Sequence, residues 1–254
     1  MRTGNVGENV VLVYLVVCFF VFLAGFVDSI AGGGGLISLP AYMIAGLPVH
    51  TAIATNKMSS SMGTFVASFH YMKKGFMKWK ICIPGSWIGS HLALLISEKA
   101  LKIAMLVVLP VILFYVLRSK ALKGKDENAT EVINGMLIFK SILIAAVVGI
   151  YDGIYGPGTG TFLMLLFTGF CHMTLNDAAG ATKAINLTTN ITALVVFLIN
   201  GKVLLPLGIA AGVCNMAGNY LGSHSFTSNG HKIVKPVMIV VIVIFFIKVL
   251  TELI

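Results

Sequence analysis

The sequence predicts an all-α integral membrane protein, a polytopic helical bundle built from two repeats. Three observations predict it. The 254 residues are 57% hydrophobic and only 11% charged, against about 25% charged in a soluble domain. The apolar residues fall in ten runs, most of which reach the roughly 20 residues a helix needs to cross hydrocarbon. A glycine-rich phrase also occurs twice, as G-F-V-D-S-I-A-G-G-G-G-L-I at 25–37 and G-I-Y-D-G-I-Y-G-P-G-T-G-T-F at 149–162.

In chain order the runs are 9–30, 36–47, 49–72, 79–97 and 100–117, then 132–155, 160–170, 177–199, 203–223 and 233–253. A single helix over 9–47 would be about 57 Å long at 1.5 Å per residue, far beyond the roughly 30 Å core. The chain must therefore turn back at glycines 32–35, which tolerate either backbone hand. Residues 36–47 and 160–170 are too short to span and are expected as glycine-broken re-entrant helices. Residues 9–30 share features with a signal peptide, but the matching run at 132–155 lies mid-chain, so 9–30 is expected to be a retained helix. The expectation is 8–10 helices: a first repeat over 1–117, a cytoplasmic linker over 118–131 and a second repeat over 132–254.

The repeat rests on further matches in the same order. A-T-N-K at 54–57 is echoed by G-A-T-K at 180–183, and G-S-W-I-G-S-H at 85–91 by G-N-Y-L-G-S-H at 218–224. Internal repeats whose hydrophobic segments are interrupted by glycine at matching positions point to the binding site of a secondary transporter. About five legs per half is an odd number, so the second half is expected to be inverted. The net charge of +9 is a topology signal. Lys73, Lys74, Lys78 and Lys80 form one basic cluster; Arg118, Lys120, Lys123 and Lys125 form another. The positive-inside rule places both in the cytoplasm, two spans apart. Inversion puts Lys232 and Lys235 inside as well, while Lys99 and Lys102 fall outside, against the rule. With no folded basic surface, nucleic-acid binding is excluded.

Of nine acidic residues, Asp28 and Asp152 are the two deep in apolar sequence; Lys57 and Lys183 likewise stand well inside their helices. A charge at mid-bilayer costs at least about 2.5–3.5 kcal/mol, so such residues face a cavity or a partner. The bland alternative is that each aspartate simply pairs with a lysine as a structural ion pair. Lys57, Ser60, Ser61 and Thr64 share one helix face, as do Lys183, Asn186 and Asn190. Polar stripes in a bilayer must look inward. Serine and threonine alone would be interhelical glue; a repeated stripe headed by lysine is more specific.

The glycine turns supply the opposite wall. Each precedes a short helix whose first amides lack intrahelical partners and carry partial positive charge suited to anions. Lys57 and Lys183 are expected to neutralise an anion, oriented by amides at Gly33, Gly34, Gly158 and Thr159 and by Asn56, Ser60, Asn186 and Asn190. Asp28 and Asp152 are expected to be coupling groups, protonated when the pathway faces the acidic side. The four-glycine run lacks the G-K-[ST] ending of a phosphate loop. The pairs Gly85/Gly89 and Gly218/Gly222 are assigned to helix packing, while the role of His91 and His224 stays open between interfacial anchoring, which is favoured, and proton relay. Cys18, Cys82, Cys171 and Cys214 lie singly, without a C-x-x-C pair, which speaks against a metal site or disulfide framework. No cofactor is expected.

The phrases A-G-F-V-D-S-I-A-G-G-G-G-L-I-S-L-P and A-T-N-K, with D-G-I-Y-G-P-G-T-G-T-F and G-A-T-K-A-I-N, resemble the TauE/SafE sulfite exporter family from about residue 20 to 225. The resemblance implies a bacterial inner-membrane carrier of a small sulfur-containing anion such as sulfite, thiosulfate, sulfoacetate or a related organosulfonate. The partners expected are that anion, a coupling proton or sodium ion, the lipid bilayer and a second copy in a homodimer. Two other classes compete. An intramembrane aspartyl protease also uses two bilayer aspartates, but its second aspartate follows a G-x-G, whereas Asp28 precedes its glycines. A passive anion channel shares the carrier's sequence signature and stays open at this point.

Overall fold

Where the sequence demands that the chain double back, it does. In the computed structural model, which describes residues 5–76, 135–154 and 156–253, α1 (Asn5–Ala31) ends at the first glycine turn and α2 (Gly35–Ile44) returns from it. Then α3 (Val49–Lys73) follows a short loop. The second half repeats the order: α4 (Gly135–Ile154), a glycine turn, α5 (Thr159–Gly169) and α6 (Leu175–Ile199). The chain closes with α7 (Leu205–Leu253). The spans at 79–97 and 100–117, the linker, Cys82, Gly85, Gly89, His91, Lys99 and Lys102 lie outside the described residues.

Among the described residues no strand occurs, and Val10–Ala31, Gly135–Asp152 and Leu175–Ile199 are each long and apolar enough to cross a membrane. Helices α2 and α5 are apolar but short. One expectation needs adjusting. The runs 203–223 and 233–253 join as the 49-residue α7, whose backbone leaves helical geometry at Asn229 (φ −139°). At 1.5 Å per residue such a helix measures about 73 Å, twice a bilayer core, so the break at Asn229 divides it into two spans.

The polarity of the bundle is that of a protein in lipid. Phe19, Phe139, Val147 and Val213 are exposed on the outside, while Lys57, Thr64, Asp152, Lys183 and Asn190 are buried. Both polar stripes face inward, as backbone and side-chain polar groups must when the solvent offers no hydrogen bonds. Helix α7 closes on α1 through small residues. A Cβ on Gly218 would lie 2.1 Å from the Phe22 carbonyl oxygen, and one on Gly222 2.1 Å from Ser29 Oγ. That contact makes the Gly218/Gly222 pair a helix-packing device. Helix α3 is tied to α1 where Tyr71 donates its hydroxyl hydrogen to the Ser29 carbonyl at 2.7 Å.

Candidate functional site

The two glycine turns meet back to back. Gly32 (φ +73°) sits so close to Gly160 that a Cβ on it would lie 2.2 Å from the Gly160 carbonyl carbon. No side chain fits there, and the left-handed backbone disfavours one as well. Gly35 lies against Pro157 in the same seam. Thr161 at the start of α5 donates to the Ala31 carbonyl at 2.7 Å, capping one of the carbonyls that the end of α1 leaves without a partner. The broken ends of α1–α2 and α4–α5 thus hold each other at the centre of the bundle.

A cavity of about 540 Å³, counting its open mouth, lies beside this seam. Its wall includes Gly34, Asn56, Lys57, Ser60, Thr159, Asn186, Asn190, Asp28 and Asp152, nine of the residues the sequence pointed to. Gly33, Gly158 and Lys183 are not on that wall. Gly158 instead adopts the left-handed conformation (φ +86°) that starts α5. The Gly33 carbonyl accepts from the Leu36 amide. Lys183 is withdrawn behind Asp28, with its side chain 1% exposed.

The charged groups pair across the two halves of the chain. Lys183 of α6 donates to Asp28 Oδ2 of α1 at 2.6 Å and also to the Asp28 backbone carbonyl. The other Asp28 oxygen, Oδ1, accepts the Gly34 amide at 3.3 Å. Lys57 of α3 lies 3.1 Å from Asp152 Oδ1 of α4 and donates to Asn190 Oδ1 of α6 at 3.0 Å. Thr159 donates to Asp152 Oδ1 at 2.9 Å. Among the described residues Asp152 Oδ2 is buried without a hydrogen-bond partner, and so is Asn186 Oδ1. A lysine ammonium carries three donors, so Lys57 keeps one for a ligand.

The bland reading therefore has substance, because both aspartates are in ion pairs with lysines. Sequence reasoning missed how they pair. Each lysine reaches the aspartate of the other half, and nothing in a one-dimensional pattern specifies that choice. It also missed Asn215, which lines the cavity from α7 and donates to the Val21 carbonyl at 3.3 Å. A signal was available: Asn215 and Asn219 are one turn apart inside an otherwise apolar run. Gly32, Gly35, Gly156 and Gly160 join the wall through backbone, with Leu39 and Ile53 as its apolar part.

Chemically, the cavity offers one cation, two carboxylates, several amides and hydroxyls, and the broken ends of two short helices. Among the described residues no cluster of three or more His, Cys, Asp or Glu could hold a metal ion. Such chemistry suits a small polar solute. The chain is 32% identical over 238 residues to "Probable membrane transporter protein ORF9" of Sinorhizobium sp, covering 91% of this chain and 90% of that one. It is 32% identical over 250 residues to "Probable membrane transporter protein YfcA" of Escherichia coli K12, covering 95% and 91%. A "Probable membrane transporter protein" of Haemophilus influenzae is 29% identical over 230 residues, covering 86% and 87%. No solved structure matches. The family profile described as "Sulfite exporter TauE/SafE" matches residues 17–249. With that profile spanning nearly the whole chain and such relatives end to end, this protein belongs to the TauE/SafE family, as a multi-pass membrane transporter and not an enzyme.

Proposed function

We propose that this protein is a secondary transporter of a small sulfur-containing anion, bound at the cavity beside the glycine seam and moved with a coupling ion. The observation that carries the proposal is Lys57, a buried lysine on a cavity wall with a donor to spare, between two broken helix ends. The substrate class comes from the family's description as sulfite exporters. An anion would enter against Lys57, displacing Asp152 from it. Asn56, Ser60, Asn186 and Asn190 would orient its oxygens, with the amide ends of α2 and α5 adding partial positive charge. Lys183 would act at one remove, by holding Asp28.

The reciprocal pairing supports two halves related by a pseudo-twofold axis, which the expected inversion would place in the membrane plane. When two copies of one unit are related by a twofold axis, residue i of one meets j of the other and the reverse. The Asp28–Lys183 and Lys57–Asp152 pairs meet that condition, and so does the contact of Gly32 with Gly160. Rocking of one repeat against the other around a midplane site is the usual route to alternating access.

Counterflow in proteoliposomes tests the reading. Vesicles loaded with unlabelled sulfite or methanesulfonate should accumulate labelled anion transiently and saturably. Non-saturable flux without counterflow would make the protein a channel. No flux, together with no thermal shift by sulfite, thiosulfate, sulfoacetate, taurine or sulfate, would discard the anion site altogether.

A further inference from the structure

We infer that each monovalent anion is carried with one proton, that Asp152 is the carboxylate that takes it, and that the site therefore selects monoanions over dianions. The inference rests on the anion-transport reading above and names its stoichiometry and substrate class.

The four charges at the site are Asp28, Lys57, Asp152 and Lys183, the last three buried and Asp28 17% exposed, and they sum to zero. A monoanion arriving at Lys57 makes the cluster net negative in a setting where uncompensated charge is expensive. One proton restores neutrality. The two aspartates are not equally able to accept it. Both Asp28 oxygens are engaged, Oδ2 by Lys183 and Oδ1 by the Gly34 amide, so protonating either disrupts a charge-assisted bond. Asp152 has its Oδ2 buried and, among the described residues, without a partner. An unpaired buried acceptor of that kind calls for an explanation, and a donor brought in from outside supplies one.

The groups around Asp152 favour the same event. Lys57 faces it from α3, and Asp28 lines the same cavity from α1 with Lys183 of α6 behind it. Helix α5 has no titratable side chain, α2 has only Tyr42, whose hydroxyl is turned to Ser59, and α7 puts Asn215 on the wall. Once an anion takes Lys57, Asp152 loses its counter-charge and gains a negative neighbour. A proton from water at the open side then settles on Oδ2 and leaves with the anion at the other side. A dianion would need a second proton, and Asp28 is not free to take one. Simple monosulfonates such as methanesulfonate, and hydrogensulfite, fit this rule; sulfate, thiosulfate and sulfoacetate do not.

The full chain in liposomes decides the matter, with methanesulfonate as a fixed monoanion that carries no proton of its own, and sulfate and thiosulfate as dianions. Methanesulfonate influx should acidify the lumen by one proton per anion and be indifferent to a clamped membrane potential. Its affinity should rise about tenfold per unit fall in pH over the linked range, and both dianions should bind at least about tenfold more weakly. Asp152→Asn should bind methanesulfonate with no pH slope and no proton flux. Because Asp28→Asn alone strands a buried lysine, the companion variant is Asp28→Asn/Lys183→Met, which should keep the slope. A flat wild-type slope, a slope that survives in Asp152→Asn, or dianions carried as well as methanesulfonate would overturn this inference while leaving an anion carrier. If no probe moves, the anion-transport reading falls with it.

Discussion

Two aspartate–lysine pairs join the halves of this protein, and they differ in how finished they are. In the Asp28–Lys183 pair the contact is 2.6 Å, every carboxylate oxygen has a donor, and the lysine is sealed from the cavity. In the Lys57–Asp152 pair the contact is 3.1 Å, the lysine lines the cavity, and one carboxylate oxygen has no partner among the described residues. Equivalent sequence motifs have thus produced one closed bond and one open one. A closed buried pair holds helices in place, since removing either partner leaves a bare charge in a medium that cannot solvate it. An open pair can exchange a partner for a ligand. The difference assigns anchoring to the first and substrate contact to the second.

The largest effect should come from breaking the closed pair. Lys183→Ala leaves Asp28, 17% exposed, without its ammonium, and breaking a fully buried pair costs about 3–5 kcal/mol, an upper bound here. A sharp fall in the yield of folded protein is expected in detergent, read by fluorescence-detected size exclusion and thermal melting. Neutralising both partners in Asp28→Asn/Lys183→Met should recover most of it. If Lys183→Ala melts like wild type, the pair is not an anchor. Gly32→Ala comes next. Its left-handed backbone costs about 1–2 kcal/mol for any other residue, and overpacking against Gly160 adds about 1–3 kcal/mol. The melting temperature should drop by several degrees even though no charge has changed.

Perturbing the open pair should affect binding more than folding. Lys57→Ala removes a hydrogen bond to a charged ligand worth about 1.5–3 kcal/mol, so sulfonate affinity should fall roughly 10- to 150-fold. Asp152 keeps its Thr159 donor, so the melting temperature should fall less than in Lys183→Ala. The smallest effect is expected from Thr159→Val, whose hydroxyl hydrogen is shared between Asp152 Oδ1 and the Gly156 carbonyl, so that only part of a hydrogen bond to Asp152, about 1 kcal/mol, is lost. Anion affinity should change about fivefold or less, in titrations of the purified protein.

Much of this comparison was legible beforehand because lipid makes charge rare. Asp28, Asp152, Lys57 and Lys183 stand out in apolar sequence, and the polar faces of α3 and α6 follow from helical spacing. The turns at 32–35 and 156–160 were equally plain, since a 9–47 helix cannot fit the bilayer. The rest depends on three dimensions. Which lysine meets which aspartate, and whether an oxygen is left over, is set by packing between segments more than a hundred residues apart. The unbroken numbering of α7 shows the opposite difficulty. Ser228, Asn229 and Gly230 fall between the two apolar runs, yet only Asn229 leaves helical geometry. Asn215 was hidden in an apolar run, and its value comes from Gly63, whose missing side chain lets the Asn215 amide approach α3.

The most direct measurement compares two charge-matched double variants in one methanesulfonate counterflow assay. Lys57→Gln/Asp152→Asn neutralises the open pair, and Asp28→Asn/Lys183→Met neutralises the closed one, so each removes one cation and one anion from the same buried cluster. Counterflow should vanish in the first variant and persist in the second, with both proteins reconstituted at equal amounts. Equal loss in both, or loss confined to the Asp28/Lys183 variant, would contradict the assignment of substrate contact to Lys57 and of anchoring to Lys183.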